Sequence, residues 1–247
     1  MHPAVPRSHL GRVRRAEAGL ARQDRRHVRR EGIAQQEELI AHGRDADVYA
    51  AGDGRVLRRF RTHDVSAHEL LAMRVARAHG YPVPEVFSAT GRDLVMQRID
   101  APTMLEVLER DLTELDRHAR LLAALHERLH VIGAPAELRA IGPGNALLHL
   151  DLHPANVLLA PDGPYVIDWT NAARGHWADD VAQTVTILWS AKADREHTGI
   201  VEHFVEVFLR AFDRDAVRAH LAEAVARRIA DANLTEAERA AVRDLRL

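Results

Sequence analysis

The spacing of hydrophobic and polar positions divides the chain into two parts. Between residues 36 and 100, short apolar runs alternate with turn residues, which is the pattern of β-strands. The runs predict strands at 38–41, 47–51, 55–60, 85–88 and 93–98, with a hairpin turn at Gly52-Asp53-Gly54. One helix interrupts them and is expected to begin near Ser66 and to end before Gly80.

Beyond residue 101 the spacing is mostly helical. The clearest helix carries apolar residues at intervals of three or four, namely Leu115, Ala119, Leu122, Leu125 and Leu129. Residues 148–168 are the exception, because two short apolar strands there are joined by the turn Pro161-Asp162-Gly163-Pro164. The pattern therefore predicts a β-rich lobe followed by an α-rich lobe that holds a buried hairpin between its helices.

The composition is that of an ordinary folded protein. The 247 residues are 47% hydrophobic and 28% charged, so the chain can bury one large core or two lobes. Cysteine is absent, which excludes disulfides, thiolate metal ligands and a cysteine nucleophile. No run approaches the roughly 20 apolar residues that span a bilayer, and the N-terminal residues lack the apolar core of a secretion signal. We therefore expect a cytoplasmic protein without a membrane partner.

The N-terminal residues carry an excess of arginine. Residues 1–31 have nine Arg against three acidic residues, a charge of +6, and the rest of the chain sums to −8. A basic arm of this kind can bind nucleic acid or an acidic membrane surface. It has no aromatic residue for stacking and no long apolar stripe. We expect residues 1–33 to form a basic tail or helix in solvent, and we do not expect nucleic acid as a partner.

The most informative chemistry lies in the segment HLDLHPANVLL at 149–159 and in YVIDW at 165–169. Asp151 precedes Asn156 by five residues, and Asp168 stands at the end of an apolar strand. Each of them alone has an ordinary explanation as a turn cap, a loop amide or the start of a helix. Together they can surround one point with carboxylate and amide oxygens, which Mg²⁺ prefers alongside phosphate oxygens. The combined spacing favours a metal and phosphate site.

The same segment allows a second metal chemistry. His149, Asp151 and His153 alternate, so on a strand they would share one face and resemble the ligands of a metal-dependent hydrolase. Pro154 argues against this arrangement because it introduces a turn, and Asn156 is a residue that zinc sites seldom use. The chain also lacks a second histidine cluster, so the hydrolase is the less favoured alternative.

Segments 149–159 and 166–169 resemble the catalytic and metal-binding loops of the aminoglycoside phosphotransferase and choline kinase group, which has the protein-kinase-like fold. Weaker similarity extends from about residue 40 to Ala182, including YPVP at 81–84 and the segment 96–104. The resemblance implies an α+β fold of two lobes. A small antiparallel sheet with one helix, over 34–98, would bind the nucleotide, and a larger, mainly helical lobe over 99–247 would hold the catalytic loop and the substrate site.

The resemblance also implies a kinase that transfers the γ-phosphate of Mg-ATP to a hydroxyl group of a small molecule, with GTP left open as the nucleotide. Asp151 would accept or orient the proton of the attacking hydroxyl, while Asn156 and Asp168 would hold Mg²⁺ on the phosphates. His149 would support the catalytic loop, and Asp180 would brace it from the start of a helix. A nucleotide-binding pseudokinase or interaction module on the same fold is the alternative, which the presence of all three polar residues disfavours.

In the nucleotide lobe, the cation expected on the third strand is an arginine, because the only lysine of the chain is Lys192. A strand sends Arg58 and Arg59 to opposite faces, and the Val-Leu-Arg pattern of the family favours Arg58. An arginine can bind phosphate through two hydrogen bonds. The expected acidic partner is Glu69, which could instead form a capping box with Ser66.

The remaining nucleotide contacts are expected at the first hairpin and at the hinge between the lobes. The segment 42–49 resembles the phosphate-covering loop of the group, with Gly43 as its single glycine and Val48 in the strand that follows, and an ordinary hairpin is the alternative. At the hinge, Gln97 and Ile99 would recognise the base mainly through the backbone. His153 lies within the catalytic motif and either lines the loop or contacts substrate.

The acceptor is not identified by these motifs. Residues 171–247, where it should bind, contain thirteen acidic and eleven basic residues. A polycationic aminoglycoside would be expected to meet a denser acidic surface. The composition therefore gives that substrate class no positive support, and the expected partner is a small hydroxyl-bearing substrate whose identity the sequence leaves open.

Overall fold

The computed structural model describes residues 38–247 except Arg44, Arg195 and Glu196. The basic tail and residues 34–37 of the expected nucleotide lobe lie outside the described residues. Within the described part, a β-rich half is followed by a mainly helical half. The predicted α+β, two-part fold is confirmed.

Five antiparallel strands form one sheet in the order β1-β2-β3-β5-β4. They are β1 (Glu38–His42), β2 (Ala46–Ala50), β3 (Arg55–Phe60), β4 (Val86–Thr90) and β5 (Asp93–Gln97). All five predicted strands are present. The fourth extends further than predicted, because its pairing with β5 continues as far as Thr90 opposite Asp93. The predicted turn between β2 and β3 is also present, and its three residues all have positive φ, which favours glycine and tolerates Asp.

Helix α1 (Ala67–Ala78) packs beside this sheet. Ser66 caps its first turn, and Gly80 follows its end with φ +72°, a conformation that favours glycine. Leu70 packs against a buried cluster that contains Phe60 of β3 and Leu94 of β5. The helix is therefore where the hydrophobic spacing predicted it, and its N-terminal turn lies near the third strand.

The second half of the described chain is mainly helical. Its helices are α2 (Met104–Arg110), α3 (Leu115–His130), α4 (Trp177–Ser190), α5 (Thr198–Leu209), α6 (Arg214–Ile229) and α7 (Glu236–Arg243). Helix α4 is buried along most of its length and packs mainly against α6, while α3 packs against α5. The described helices include none that is long and apolar enough to cross a membrane.

Two short ribbons carry the loops between these helices. Strands β7 (Val157–Ala160) and β8 (Gly163–Val166) form the predicted hairpin, but its turn consists of Pro161 and Asp162 alone, because Ala160 pairs with Gly163. Leu148 does not belong to this hairpin. It ends β6 (Ala146–Leu148), which pairs with β9 (Ala173–Gly175). No local pattern predicted this pair of strands, because the two are far apart along the chain.

Candidate active site

The loop between β6 and β7 is fixed from below by the buried ring of His149. Its Nε2 donates a hydrogen bond to the Ile167 carbonyl (3.1 Å), and its Nδ1 accepts one from the Asp151 backbone N–H (3.2 Å). The ring also packs against Trp169, with 4.7 Å between centroids. His149 thus joins the backbone beside Asp151 to the strand end that carries Asp168, which fits a supporting role.

Asp180, in the first turn of α4, holds the same loop from the other side. Its Oδ1 accepts a hydrogen bond from the Leu150 N–H (2.6 Å), and its Oδ2 accepts hydrogen bonds from the His149 N–H (3.1 Å) and from His130 Nε2 (3.0 Å). Leu150 has φ +62°, an unfavourable conformation for a side chain with a Cβ. Burial disfavours the charged carboxylate, but the hydrogen bond from His130 and the neighbouring imidazoles outweigh it and lower the pKa of Asp180. This carboxylate therefore stabilises a strained segment directly before Asp151.

Asn156 connects the two ends of the catalytic loop. Its Nδ2 donates to the Asp151 carbonyl (2.8 Å) and to the Asp151 carboxylate Oδ2 (3.2 Å). His153 Nδ1 accepts from the Ala155 N–H at the start of the short 3₁₀ turn Pro154–Asn156. Its Nε2 lies 3.6 Å from Asp151 Oδ1. These contacts favour the loop-lining role for His153 over direct substrate contact.

Asp168 follows β8 and reaches back toward the sheet. Its own φ is +63°, and the Ile167 N–H donates to the Asn156 carbonyl (3.0 Å), so the two expected metal ligands lie on adjacent segments. Arg58 Nη2 (2.9 Å) and the Thr170 hydroxyl (2.8 Å) both donate to Asp168 Oδ1. Burial raises the pKa of Asp168, but the charge of Arg58 and these hydrogen bonds outweigh that effect and lower it. Asp168 is therefore held as a carboxylate.

Arg58 bridges the two lobes. Its Nη1 donates to Glu69 Oε1 (2.9 Å) while its Nη2 binds Asp168. Arg59 lies on the opposite face of β3 and pairs with Asp93, as the alternation of a strand requires. The side chain of Glu69 is 1% exposed, and burial raises its pKa against the attraction of Arg58.

The capping-box alternative for Glu69 is wrong in this structure. The Ser66 hydroxyl accepts a hydrogen bond from the His68 N–H, and the Glu69 carboxylate points to Arg58 instead of returning to the backbone of Ser66. A capping box needs both reciprocal bonds. The ion pair with Arg58, which joins α1 to β3, therefore accounts for the position of the Glu69 carboxylate.

A cleft of about 320 Å³ lies between the sheet and the loop carrying Asp168. Most of the residues expected to contact nucleotide or metal line it, namely Gly43, Val48, Arg58, Gln97, Ile99, Asn156 and Asp168. Glu69 does not line it and instead lies behind Arg58. A Cβ at Gly43 would come within 2.8 Å of the Ala46 carbonyl oxygen, so the tight loop at the mouth requires glycine. The Gln97 N–H is already engaged, because it donates to the carbonyl of Glu85, the residue before β4 (2.8 Å).

Asp151 lines a second cleft, of about 360 Å³. Its polar walls include Arg139, Gln183, Arg227 and Asp231. These residues are distant in the chain and none belongs to the motif around Asp151, so sequence reasoning missed them. Asn156 lines the first cleft and donates to the Asp151 carboxylate, so this hydrogen bond joins a residue of one cleft to a residue of the other.

The two expected metal ligands have oxygens available for a cation. Among described residues, the hydrogen bonds to the Asp168 carboxylate reach only Oδ1. The side-chain hydrogen bonds of Asn156 are donated by its Nδ2, which leaves its Oδ1 available. A carboxylate and an amide, completed by phosphate oxygens and water, suit Mg²⁺. No group of three His, Asp or Glu in the described part of the chain is placed to hold a metal. Both nitrogens of His149 are engaged with backbone, which removes it from the hydrolase alternative.

A buried histidine beneath the loop makes the stability of the protein depend on pH. His126 Nδ1 donates to the Leu122 carbonyl, its Nε2 contacts the Thr184 hydroxyl, and that hydroxyl also reaches the Leu152 carbonyl of the loop. Burial lowers the pKa of His126 to about 4, although the nearby Asp180 carboxylate opposes this shift. The folded protein therefore holds His126 neutral.

We expect the protein to lose about 2 kcal/mol of its free energy of unfolding between pH 7.5 and pH 5 through His126. A histidine whose folded pKa is depressed contributes its full stability above the unfolded pKa near 6.5, and this contribution falls as the pH approaches 4. Urea unfolding at several pH values measures it. The His126→Gln variant should lose less stability over the same interval, and an equal loss in both proteins would contradict this assignment.

Comparison with known proteins agrees with this geometry. Residues 108–223, which include Asp151, Asn156, Asp168 and Asp180, match the sequence model of the phosphotransferase enzyme family, APH. Curated protein sequences gave no match.

Solved structures with a similar fold include three kinases. A thermostable mutant of aminoglycoside phosphotransferase APH(4)-Ia, in ternary complex with AMP-PNP and hygromycin B, has a TM-score of 0.59 and 18% identity, over 85% of this chain and 94% of that one. The microcompartment-associated aminopropanol kinase has a TM-score of 0.53 and 17% identity, over 84% and 88%. A choline/ethanolamine kinase family protein from Mesorhizobium loti has a TM-score of 0.50 and 18% identity, over 86% and 94%.

The sequence resemblance is thereby confirmed at the level of fold and family pattern. The five-stranded sheet and the mainly helical second half correspond to one architecture. The chain has the protein-kinase-like fold of the aminoglycoside phosphotransferases and choline/ethanolamine kinases, and its residues 108–223 carry the sequence pattern of the phosphotransferase enzyme family.

Proposed function

We propose that the protein is a small-molecule kinase that transfers the γ-phosphate of Mg-ATP, or of Mg-GTP, to a hydroxyl group. The observation that carries this proposal is that Asn156 and Asp168 line the cleft facing the sheet while Asp151, in hydrogen-bond contact with Asn156, lines a second cleft. Phosphoryl transfer needs the nucleophile in line with the phosphate and the phosphate charge neutralised. In this proposal the cleft that faces the sheet holds the nucleotide, and the cleft lined by Asp151 holds the acceptor.

Each polar residue has a defined task in this proposal. Asp151 accepts or orients the proton of the acceptor hydroxyl. Asn156 and Asp168 hold Mg²⁺, which supplies positive charge to the nucleotide phosphates when bound. Arg58 already places its guanidinium in the cleft beside Asp168, where it can turn to the α- and β-phosphates while Glu69 holds its other nitrogen.

The similar structures support a nucleotide and a hydroxyl-bearing acceptor. One contains AMP-PNP and hygromycin B, another is described as ADP-bound, and a third is an aminopropanol kinase. These ligands belong to those proteins, and they support the reaction class for this chain without naming its acceptor. The cytoplasmic location expected from the sequence stays a prediction.

Mg-ATP at about a hundred times its dissociation constant is expected to raise the melting temperature by roughly 5–10 °C, because binding to the folded state adds about 2.7 kcal/mol. Asp168→Ala should remove most of this gain, since it deletes the carboxylate that links protein and metal. Thermal unfolding with ATP, with and without Mg²⁺, measures both effects.

A matched control for this experiment is Asp64→Ala, at an exposed carboxylate that lines neither cleft. It should keep the full gain of the parent. If Asp168→Ala is stabilised by Mg-ATP as much as the parent, the metal assignment is wrong. If the parent binds Mg-ATP but forms no ADP with any acceptor or with water, the pseudokinase alternative replaces the kinase.

A further inference from the structure

The cleft beside Asp151 is lined by guanidinium groups. Arg139, Arg227 and Arg228 contribute to its walls, and its carboxylates are Asp151 and Asp231. Asp231 pairs with Arg228, so within the described residues Arg139 and Arg227 are the arginines of this cleft that form no ion pair with its two carboxylates.

Arg228 is the arginine whose charge is already compensated. Its Nη1 lies 3.2 Å from Asp231 Oδ2, and its Nη2 donates to the Ser190 hydroxyl (3.1 Å). The ion pair ties the last turn of α6 to the residues that follow the helix, and the bond to Ser190 ties it to α4. Arg228 and Asp231 therefore form a wall of the cleft that is neutral as a pair.

Arg139 enters the cleft from the segment between α3 and β6. It is exposed, and its Nη2 donates to the Asn171 carbonyl (3.2 Å). Within residues 38–247 as described, it forms no ion pair with a carboxylate. The bond to Asn171 uses one of its five N–H donors, so the guanidinium can bind an anion at the mouth without losing its support.

Arg227 faces the same space from α6. Its Nε donates to Gln183 Oε1 (3.2 Å), and its Nη2 lies 3.8 Å from Asp179 Oδ1, beyond hydrogen-bond distance. That Asp179 oxygen also accepts from His220 Nδ1 (3.0 Å), so its charge is shared. Glu223, an exposed residue one turn earlier on α6, has its Oε2 4.0 Å from Arg227 Nη1. Neither carboxylate is within hydrogen-bond distance of Arg227, whose charge is therefore compensated only in part, and its side chain remains 29% exposed.

We propose that the acceptor carries an anionic group, a carboxylate or a phosphate, which Arg139 and Arg227 bind while its hydroxyl lies at Asp151. This inference rests on the proposed kinase function. In the transfer, the hydroxyl oxygen forms a bond to the γ-phosphorus as the bond from that phosphorus to the β-phosphate oxygen breaks. The hydroxyl proton passes to Asp151, and the nucleoside diphosphate leaves. A polycationic acceptor is excluded from this cleft by charge repulsion.

Four three-carbon probes test the charge preference with one skeleton: glycerate, glycerol 3-phosphate, glycerol and 3-amino-1,2-propanediol. Each is titrated calorimetrically into protein saturated with Mg-AMP-PNP, so that Arg58 and the metal ligands are already occupied. We expect both anions to bind at least about tenfold more tightly than the neutral and the cationic probe, because hydrogen bonds to charged groups contribute more than neutral ones. The two anions separate a carboxylate site from a phosphate site.

Two variants locate the binding. Arg139→Ala and Arg227→Gln should each weaken the preferred anion by about tenfold, and Arg139→Lys should restore part of the loss. The matched control is Arg110→Ala, at an exposed arginine that lines neither cleft, and it should bind as the parent does. Glutamine at position 227 can keep a hydrogen bond to Gln183, which protects the fold.

Three results would overturn the inference: tighter binding of the neutral or cationic probe, no anion binding at tens of millimolar, or equal anion binding by the parent and the Arg139→Ala variant. Failure of the proposed function is distinguishable because Mg-AMP-PNP binding is measured first. If the nucleotide does not bind, the kinase proposal fails, and titration of the same anions without nucleotide still tests the arginines of the cleft.

Discussion

Asp151→Asn is expected to slow phosphoryl transfer by at least roughly a hundredfold while leaving Mg-ATP affinity within a few-fold of the parent. Asparagine is nearly isosteric with aspartate but cannot take the hydroxyl proton. The loop should keep its shape, because Asn156 bonds to the Asp151 carbonyl and His149 accepts from the Asp151 N–H, both of which are main-chain groups. Formation of ADP, with an acceptor or with water in its place, measures the rate, and calorimetry measures the affinity.

The separation of rate from affinity is the decisive part of this prediction. Asp151 lines the second cleft and not the nucleotide cleft, so its loss should act on the transfer step. Asp162→Asn, at an exposed carboxylate in the β7–β8 turn, provides the matched control and should retain the parent rate. Transfer at the parent rate by Asp151→Asn would remove the central residue of the proposed mechanism.

Asp180→Ala is expected to lower the free energy of unfolding by about 3–5 kcal/mol. The change removes the acceptor for the backbone N–H groups of His149 and Leu150 and leaves His130 without its carboxylate partner. Leu150 would then keep its strained positive φ without the hydrogen bond that stabilises it. Denaturant unfolding at neutral pH measures the loss.

A surface carboxylate gives the scale for that result. Asp213 is exposed and caps α6 by accepting hydrogen bonds from two backbone N–H groups. The Asp213→Ala variant should therefore lose only about 1 kcal/mol of its free energy of unfolding. If Asp180→Ala costs no more than Asp213→Ala, the buried carboxylate does not support the loop as the contacts indicate. Should Asp180→Ala prevent folding, the isosteric Asp180→Asn variant tests the same carboxylate with a smaller loss.

Local patterns were sufficient to predict the sheet and much of the candidate site. Alternation along β3 places Arg58 and Arg59 on opposite faces without any tertiary information, and the resemblance to the family then favoured Arg58. The five-residue spacing of Asp151 and Asn156 works in the same way, since a loop with one short turn brings them into contact. In each case the residues that interact are close in sequence or follow one period.

Other parts of the site depend on contacts between distant segments. Glu69 has the sequence of a capping box, yet its carboxylate bonds to Arg58, because a buried ion pair across α1 and β3 competes with the local bond. Thr170 was not predicted as a partner of Asp168. The only indication of this contact in the sequence is that Thr170 follows Asp168 by two residues. The positive φ of Leu150 also had no signal in the residue type.

The sequence by itself determined the five strands of the sheet, helices α1 and α3, the β7–β8 hairpin and the polar residues of the loop at 149–159, because these follow from spacing within a few residues. Only the tertiary structure decided which residues line the second cleft, beside Asp151. Arg139, Asn171, Gln183 and Arg227 come from four separate segments, and helix packing, not sequence proximity, brings them beside Asp151. Net composition over 171–247 could not show this arrangement, since a nearly balanced count of charges still allows arginines to face one cleft while acidic residues lie elsewhere.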